Sequence, residues 1–144
     1  MADFSGPEIN TSQLGQVYTR TNRDLGALIT LTSAGAGTTN SDLQYNTGGR
    51  GVSVVVDLTK NSGTIDVVVT IQTYDPAGAN YIDRLSSVSL TATGVTEYIV
   101  HPDLTAAANS ITKNFIREQW RVQLVSGAGV SPNFTCTVGA CTLP

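Results

Sequence analysis

Histidine occurs once, at position 101, in the stretch EYIVHPDLTAAAN. Asp103 lies two residues further on and serines are plentiful, so the residue types of a Ser–His–Asp site are present. Such a site needs all three side chains in one place, with the imidazole able to take the nucleophile's proton. His101 instead precedes Pro102 at the end of an alternating apolar run, where a lone histidine is structural or exposed. No catalytic residue, and no enzyme, is expected from it. The carboxylates Asp57, Asp66, Asp75, Asp83 and Asp103 are of the type that pairs in glycoside hydrolysis, but nothing in their spacing makes them converge. Asp75, before Pro76, reads as a turn former, and no dense acidic loop resembles a calcium site.

Cys136 and Cys141 share the stretch FTCTVGACTL. In one extended strand they would stand about 16 Å apart, whereas a disulfide needs Cα atoms within about 7 Å. A bond would require a tight turn at Val138-Gly139-Ala140; the alternative is two small buried thiols. Two cysteines and one distant histidine do not supply a zinc site, so no metal and no cofactor is expected. Gly35-Ala36-Gly37 lacks the strand-then-helix setting of a phosphate loop. Asn10 and Asn133 begin glycosylation-type triplets that mean little without a secretion signal. Trp120 and Phe134 read as core. Tyr45, Tyr74 and Tyr81 could form a binding surface, but each neighbours turn residues, and the expectation is isolated rim tyrosines.

The composition narrows the field further. Of 144 residues, 40% are hydrophobic and 13% charged, with a net charge of −3; the usual charged share is about 25%. Threonine, serine, glycine and asparagine fill the gap. The Lys and Arg residues are scattered from Arg20 to Arg121 with no basic stripe, so no nucleic-acid binding is expected. No apolar run reaches the ~20 residues of a membrane span, and MADFSGPEIN lacks the regions of a signal peptide. Synthesis in the cytoplasm and no membrane partner are the expectations, and no side-chain constellation points to a small-molecule substrate.

The elements that must position these residues are strands. Residues 1–25 hold isolated apolar residues with no sustained period; they read as an extended arm, either plain terminal disorder or a segment that docks on a neighbour. Residues 26–144 form the domain. Strands are expected at 26–32 and, briefly, around LQYNT, with a turn at GGRG. In GVSVVVDLT, Val52, Val54, Val56 and Leu58 share a face; after Lys60-Asn61-Ser62-Gly63, Ile65, Val67, Val69 and Ile71 do the same. Strict period two on both sides of a four-residue turn predicts a hairpin covering one side of a core. YDPAGAN is a turn with Gly78 at positive φ. Strands follow at YIDRL, SVSLTATG and TEYIV, then a short helical turn at 103–108 capped by Asp103. QWRVQLV puts Trp120, Val122 and Leu124 inward, and NFTCTVG is the last strand. Seven to nine short strands with frequent turns predict a single antiparallel β-sandwich, jelly-roll or Ig-like.

The pieces VVVDLT, IQTYDPA, HPDLTAAAN and WRVQLV, in that order, resemble a group of small virion structural proteins of tailed bacteriophages and prophages. The resemblance covers about residues 50–127. It implies a β-rich, non-enzymatic accessory protein, a capsid decoration or cement protein at the virion surface. Its implied partner is the major capsid protein, with self-association at a symmetry axis. A tail or head–tail connector subunit and a carbohydrate-binding β-sandwich module are the alternatives. Under the decoration reading the arm binds the capsid: Phe4, Ile9, Leu14, Val17 and Tyr18 as apolar anchors, Arg20 and Arg23 against acidic groups.

Overall fold

The computed structural model describes residues 23–33, 35–127 and 133–144. In chain order its strands are β1 (Arg23–Ser33), β2 (Gly37–Asn40), β3 (Gln44–Tyr45), β4 (Gly51–Ser62), β5 (Val67–Asp75), β6 (Asn80–Ser86), β7 (Gly94–Val100), β8 (Ile111–Thr112), β9 (Gln119–Ser126) and β10 (Asn133–Leu143). They form two sheets. The first runs β8-β7-β4-β10-β1; the second runs β2-β9-β5-β6, with β3 also paired to β9. Every pairing is antiparallel except β8 beside β7. The chain is an all-β sandwich, as its alternation predicts. Of the two topologies left open, the strand order is that of a jelly roll, in which the chain passes repeatedly from one sheet to the other.

The central correction concerns β4 and β5. They do not form a hairpin. β4 pairs with β7 and β10 in the first sheet, while β5 pairs with β9 and β6 in the second. Their alternation is as predicted: Val52, Val54, Val56, Leu58, Ile65, Val67, Val69 and Ile71 are all buried in one core cluster. Two apolar faces joined by a short link can lie side by side in one sheet or face each other across a core, and periodicity alone does not distinguish these. Here the link arches over the sandwich through Gly63 at φ 72°. Asp66 then anchors it, its carbonyl accepting from Gly127 N–H at 2.7 Å.

Four local expectations also change. Residues 23–25, read as the end of the arm, belong to β1, where Arg23 pairs with Thr142; residues 1–22 lie outside the described residues. SVSLTATG is not a strand: only Leu90 bridges to Val67, and Val88 is exposed. Residues 103–108 form turns rather than a helix, and Asp103 pairs with Arg50 instead of capping. In the β5–β6 turn the positive φ falls on Ala79 (54°), not Gly78. A Cβ on Gly78 would meet only side-chain ends that can shift, Asn80 Nδ2 at 2.8 Å and Asp75 Oδ2 at 3.2 Å. Asp75 forms the turn as expected, accepting from Ala77 N–H at 3.4 Å.

Trp120, Phe134, Val122 and Leu124 close the core from β9 and β10, each fully buried. Gly51, where β4 begins, lies so close to β7 that a Cβ would strike the Val100 carbonyl and approach His101 Cδ2 to 2.7 Å. Gly139 sits in β10 with its nearest would-be neighbour, the Gly26 carbonyl, at 3.6 Å. Gly51→Ala is therefore expected to lower unfolding stability in urea by about 1–3 kcal/mol, as overpacking does. Gly139→Ala is expected to change it by less than about 0.5 kcal/mol; equal losses would contradict this packing.

Candidate functional site

The residues that carry chemistry in the sequence do not assemble around His101. Its imidazole is buried and engaged at both nitrogens: Nδ1 accepts from the Asp103 N–H at 3.1 Å, and Nε2 lies 2.7 Å from the Pro144 backbone oxygen. With Nδ1 accepting, Nε2 carries the proton and donates it. The Asp103 carboxylate turns to Arg50. His101 thus holds the 101–103 turn against the end of β10. The other carboxylates are dispersed. Asp57 is on the outer face of the first sheet, Asp66 bonds Ser89 in the arch region, Asp75 ends β5, and Asp83 is on β6. Among the described residues no group of three or more His, Cys, Asp or Glu is placed to hold a metal.

The thiols are unbonded. Both lie in the unbroken strand β10, Cys136 on its inner face and Cys141, five residues on, on its outer face. Burial, and then the charge of Asp57, pushes the Cys136 thiol up to about 11. Burial, and then Asp24, raises Cys141 as well.

Sequence reasoning missed the outer face of the second sheet. Tyr81 on β6 pairs with Tyr74 on β5, their ring centroids 5.1 Å apart and tilted by 54°. One step past the Trp120–Thr73 pair, Gln119 on β9 lies beside Tyr74 and pairs on its other side with Tyr45 on β3. The three tyrosines expected as isolated rim residues therefore share one row across four strands. Each neighbours a turn in sequence, which hides the fact that all those turns open at the same end of the sheet. Behind this row runs a hydrogen-bonded line. Arg121 Nε donates to Gln72 Oε1 at 2.8 Å, and Gln72 Nε2 donates to Asp83 Oδ1 at 2.8 Å. The line holds the Arg121 guanidinium 3.5 Å over the Tyr81 ring, a cation–π contact.

At the end of the row is a groove of about 390 Å³ lined by Tyr74, Pro76, Arg117, Glu118 and Gln119. Arg117 is held loosely by Asp75 at 3.8 Å, and its Nε is buried without a hydrogen-bond partner. Nearby, Arg84 donates from Nε to Thr73 Oγ1 at 2.9 Å and stacks on Phe115. Its own burial, and then the Arg117 charge, lowers its pKa.

The outer face of the first sheet is different. Thr135 pairs with Thr32 and Thr59, and Thr137 with Thr30 and Asp57, so five threonines stand in adjacent rows. Val55 and Val95 are exposed on this face, Val95 at 68%. A shallow depression of about 280 Å³ opens where Gly26 and Gly139 carry no side chain, beside Asp24, Ser53 and Cys141. Arg23, expected to bind a capsid, stands exposed at the margin of this sheet. Phe4, Ile9, Leu14, Val17, Tyr18 and Arg20 lie outside the described residues.

No family model matches the chain, and no curated protein matches its sequence. Among solved structures it is similar to PirA, at 18% identity and TM-score 0.47, covering 76% of this chain and 89% of that one. It is similar to a chain of infectious bursal disease virus, Gx strain, at 11% identity and TM-score 0.48, covering 85% of this chain and 33% of that one. A CBM4 structure is similar at 12% identity and TM-score 0.47, covering 80% and 73%.

Because both thiol pKa values are raised, little thiolate forms near pH 8: for Cys136 at about 11 it is on the order of one molecule in a thousand. Iodoacetamide at that pH is expected to leave Cys136 unmodified in the folded protein and to label Cys141 slowly. Both should react fully in urea, as peptide mass mapping would record. Rapid labelling of Cys136 without denaturant would contradict its placement in the core.

Proposed function

We propose that this chain is a virion structural protein, a decoration or cement protein that binds the outer surface of a tailed-phage shell and braces contacts between capsomers. The observation that carries the reading is the outer face of the first sheet, where exposed Val55 and Val95 stand among in-register threonines. Val55 and Val95, beside Glu97 and Asp57 on this face, support a contact role under this reading. The face leads at its margin to Arg23, where the arm of residues 1–22 joins β1. The phage-like motifs support the same reading, because they supply the framework. VVVDLT lies in β4, IQTYD in β5 and WRVQLV in β9, while HPDLTAAAN is the loop pinned by His101 and by the Arg50–Asp103 pair.

The mechanism is passive. Each copy rests on the major capsid protein near a symmetry axis through the Val55–Val95 face, and its arm reaches an adjacent subunit. There Phe4, Ile9, Leu14, Val17 and Tyr18 bury apolar surface, and Arg20 and Arg23 meet acidic groups. Ordering such an arm costs entropy, and many copies of a modest contact add up by multivalent attachment.

Cryo-EM of particles from the source is expected to show a β-sandwich of this size at capsomer junctions; density confined to tail or neck would overturn the decoration role. With purified shells, Val95→Asp and removal of residues 2–22 are each expected to weaken co-sedimentation about tenfold, roughly 1.4 kcal/mol, without changing the melting temperature. Unchanged attachment of both variants would remove this docking geometry.

A further inference from the structure

We propose that the groove beside Tyr74 binds a pyranose unit of a neutral oligosaccharide, with the tyrosine row carrying the neighbouring units. This inference does not depend on where the chain resides.

The volume of about 390 Å³ is within the range of small-ligand clefts, about 300–1,000 Å³. Its lining combines two kinds of surface. Tyr74 and Pro76 offer apolar faces, which suit the C–H side of a sugar ring. Gln119, Glu118 and Arg117 offer planar polar groups, each able to engage two neighbouring hydroxyls in one plane. Aromatic rings with a polar rim suit ligands that are apolar on one side and wet on the other.

Arg117 makes the case specific. Its Nε is buried, but its Nη1 is held only loosely by Asp75 at 3.8 Å, so the outer end of the guanidinium is available to hydroxyls in the groove. Charge selects among sugars. Arg84, Arg117 and Arg121 stand at this end of the sheet with Asp75, Asp83 and Glu118. The signs balance, with Arg117 and Glu118 both on the groove wall, so the site has no net positive charge to favour a uronate or sialate carboxylate over a neutral sugar. The extent of the row selects for a chain over a single sugar. From Tyr45 on β3 to Tyr81 on β6 is three strand spacings, roughly 14 Å. Arg121, fixed by Gln72 and Asp83, covers one face of Tyr81 and so sets which ring surface is open.

The test uses the full chain and isothermal titration with cellohexaose, xylohexaose, chitohexaose and mannohexaose, with oligogalacturonate as the acidic probe. At least one neutral hexaose is expected to bind at micromolar to millimolar concentration. Tyr74→Ala and Arg117→Ala should each weaken it roughly tenfold or more. Tyr45→Ala, at a ring 53% exposed and so without a folding cost, should weaken the hexaose but not a monosaccharide. Val95→Asp, on the opposite sheet, should change nothing. Silence with all neutral probes, binding of oligogalacturonate alone, or binding untouched by Tyr74→Ala, Arg117→Ala and Tyr45→Ala would each overturn the proposal. Shell attachment of Tyr74→Ala is expected to stay intact, so this site and the decoration role fail separately.

Discussion

The opposition of β4 and β5 across the core is the constraint on which the rest of the molecule depends. Each strand presents an unbroken apolar face, and a soluble fold must cover both. As a hairpin they would make one wide apolar sheet needing an equally wide cover. Arched over, they cover each other, and Trp120, Phe134 and Tyr98 fill the layer between. The arch is built for this: Gly63 turns the chain, Ile65 dips into the core, and the Asp66 carboxylate packs where Gly127 leaves room. The Trp120 indole N–H lies buried in this layer without a hydrogen-bond partner.

This arrangement leaves two outer faces that differ in chemistry. The first sheet displays short hydroxyl and β-branched side chains, which suit a pleated, half-exposed face. The second displays rings, amides and guanidiniums joined by hydrogen bonds into a fixed pattern. Side chains that are already bonded to one another lose little freedom when something binds them, which is the advantage of preorganisation. The core lies between the two faces, so the side chains that one displays do not constrain those of the other.

The inner faces were readable from the sequence: Val52 to Leu58, Ile65 to Ile71, Trp120 to Leu124 and Phe134 to Val138 alternate, and burial follows the alternation. Sheet membership was not readable, because the link between β4 and β5 fits a hairpin or an arch equally well by length. The 87–93 segment alternates too, yet the site beyond Val67 admits only a single bridge at Leu90. Asp103 has the right type for a helix cap, but Arg50, 53 positions away, offers it a charge partner. The tyrosine row was hidden for a related reason. Tyr45, Tyr74 and Tyr81 meet only through long-range register, and no local pattern records that Gln119 stands between two of them.

Strand β10 lies between β4 and β1, and is the only neighbour that β1 has within the described residues. The first sheet therefore has a gap until residues 133–143 exist. A ribosome adding about 5–20 residues per second needs roughly 4–14 seconds to go from the end of β4 to the start of β10. Until then β4 lacks the partner that occupies one of its two edges in the folded sheet. The order in which the chain is made thus runs against the order in which the sheet is assembled. Closure of the first sheet therefore requires the last strand of the chain.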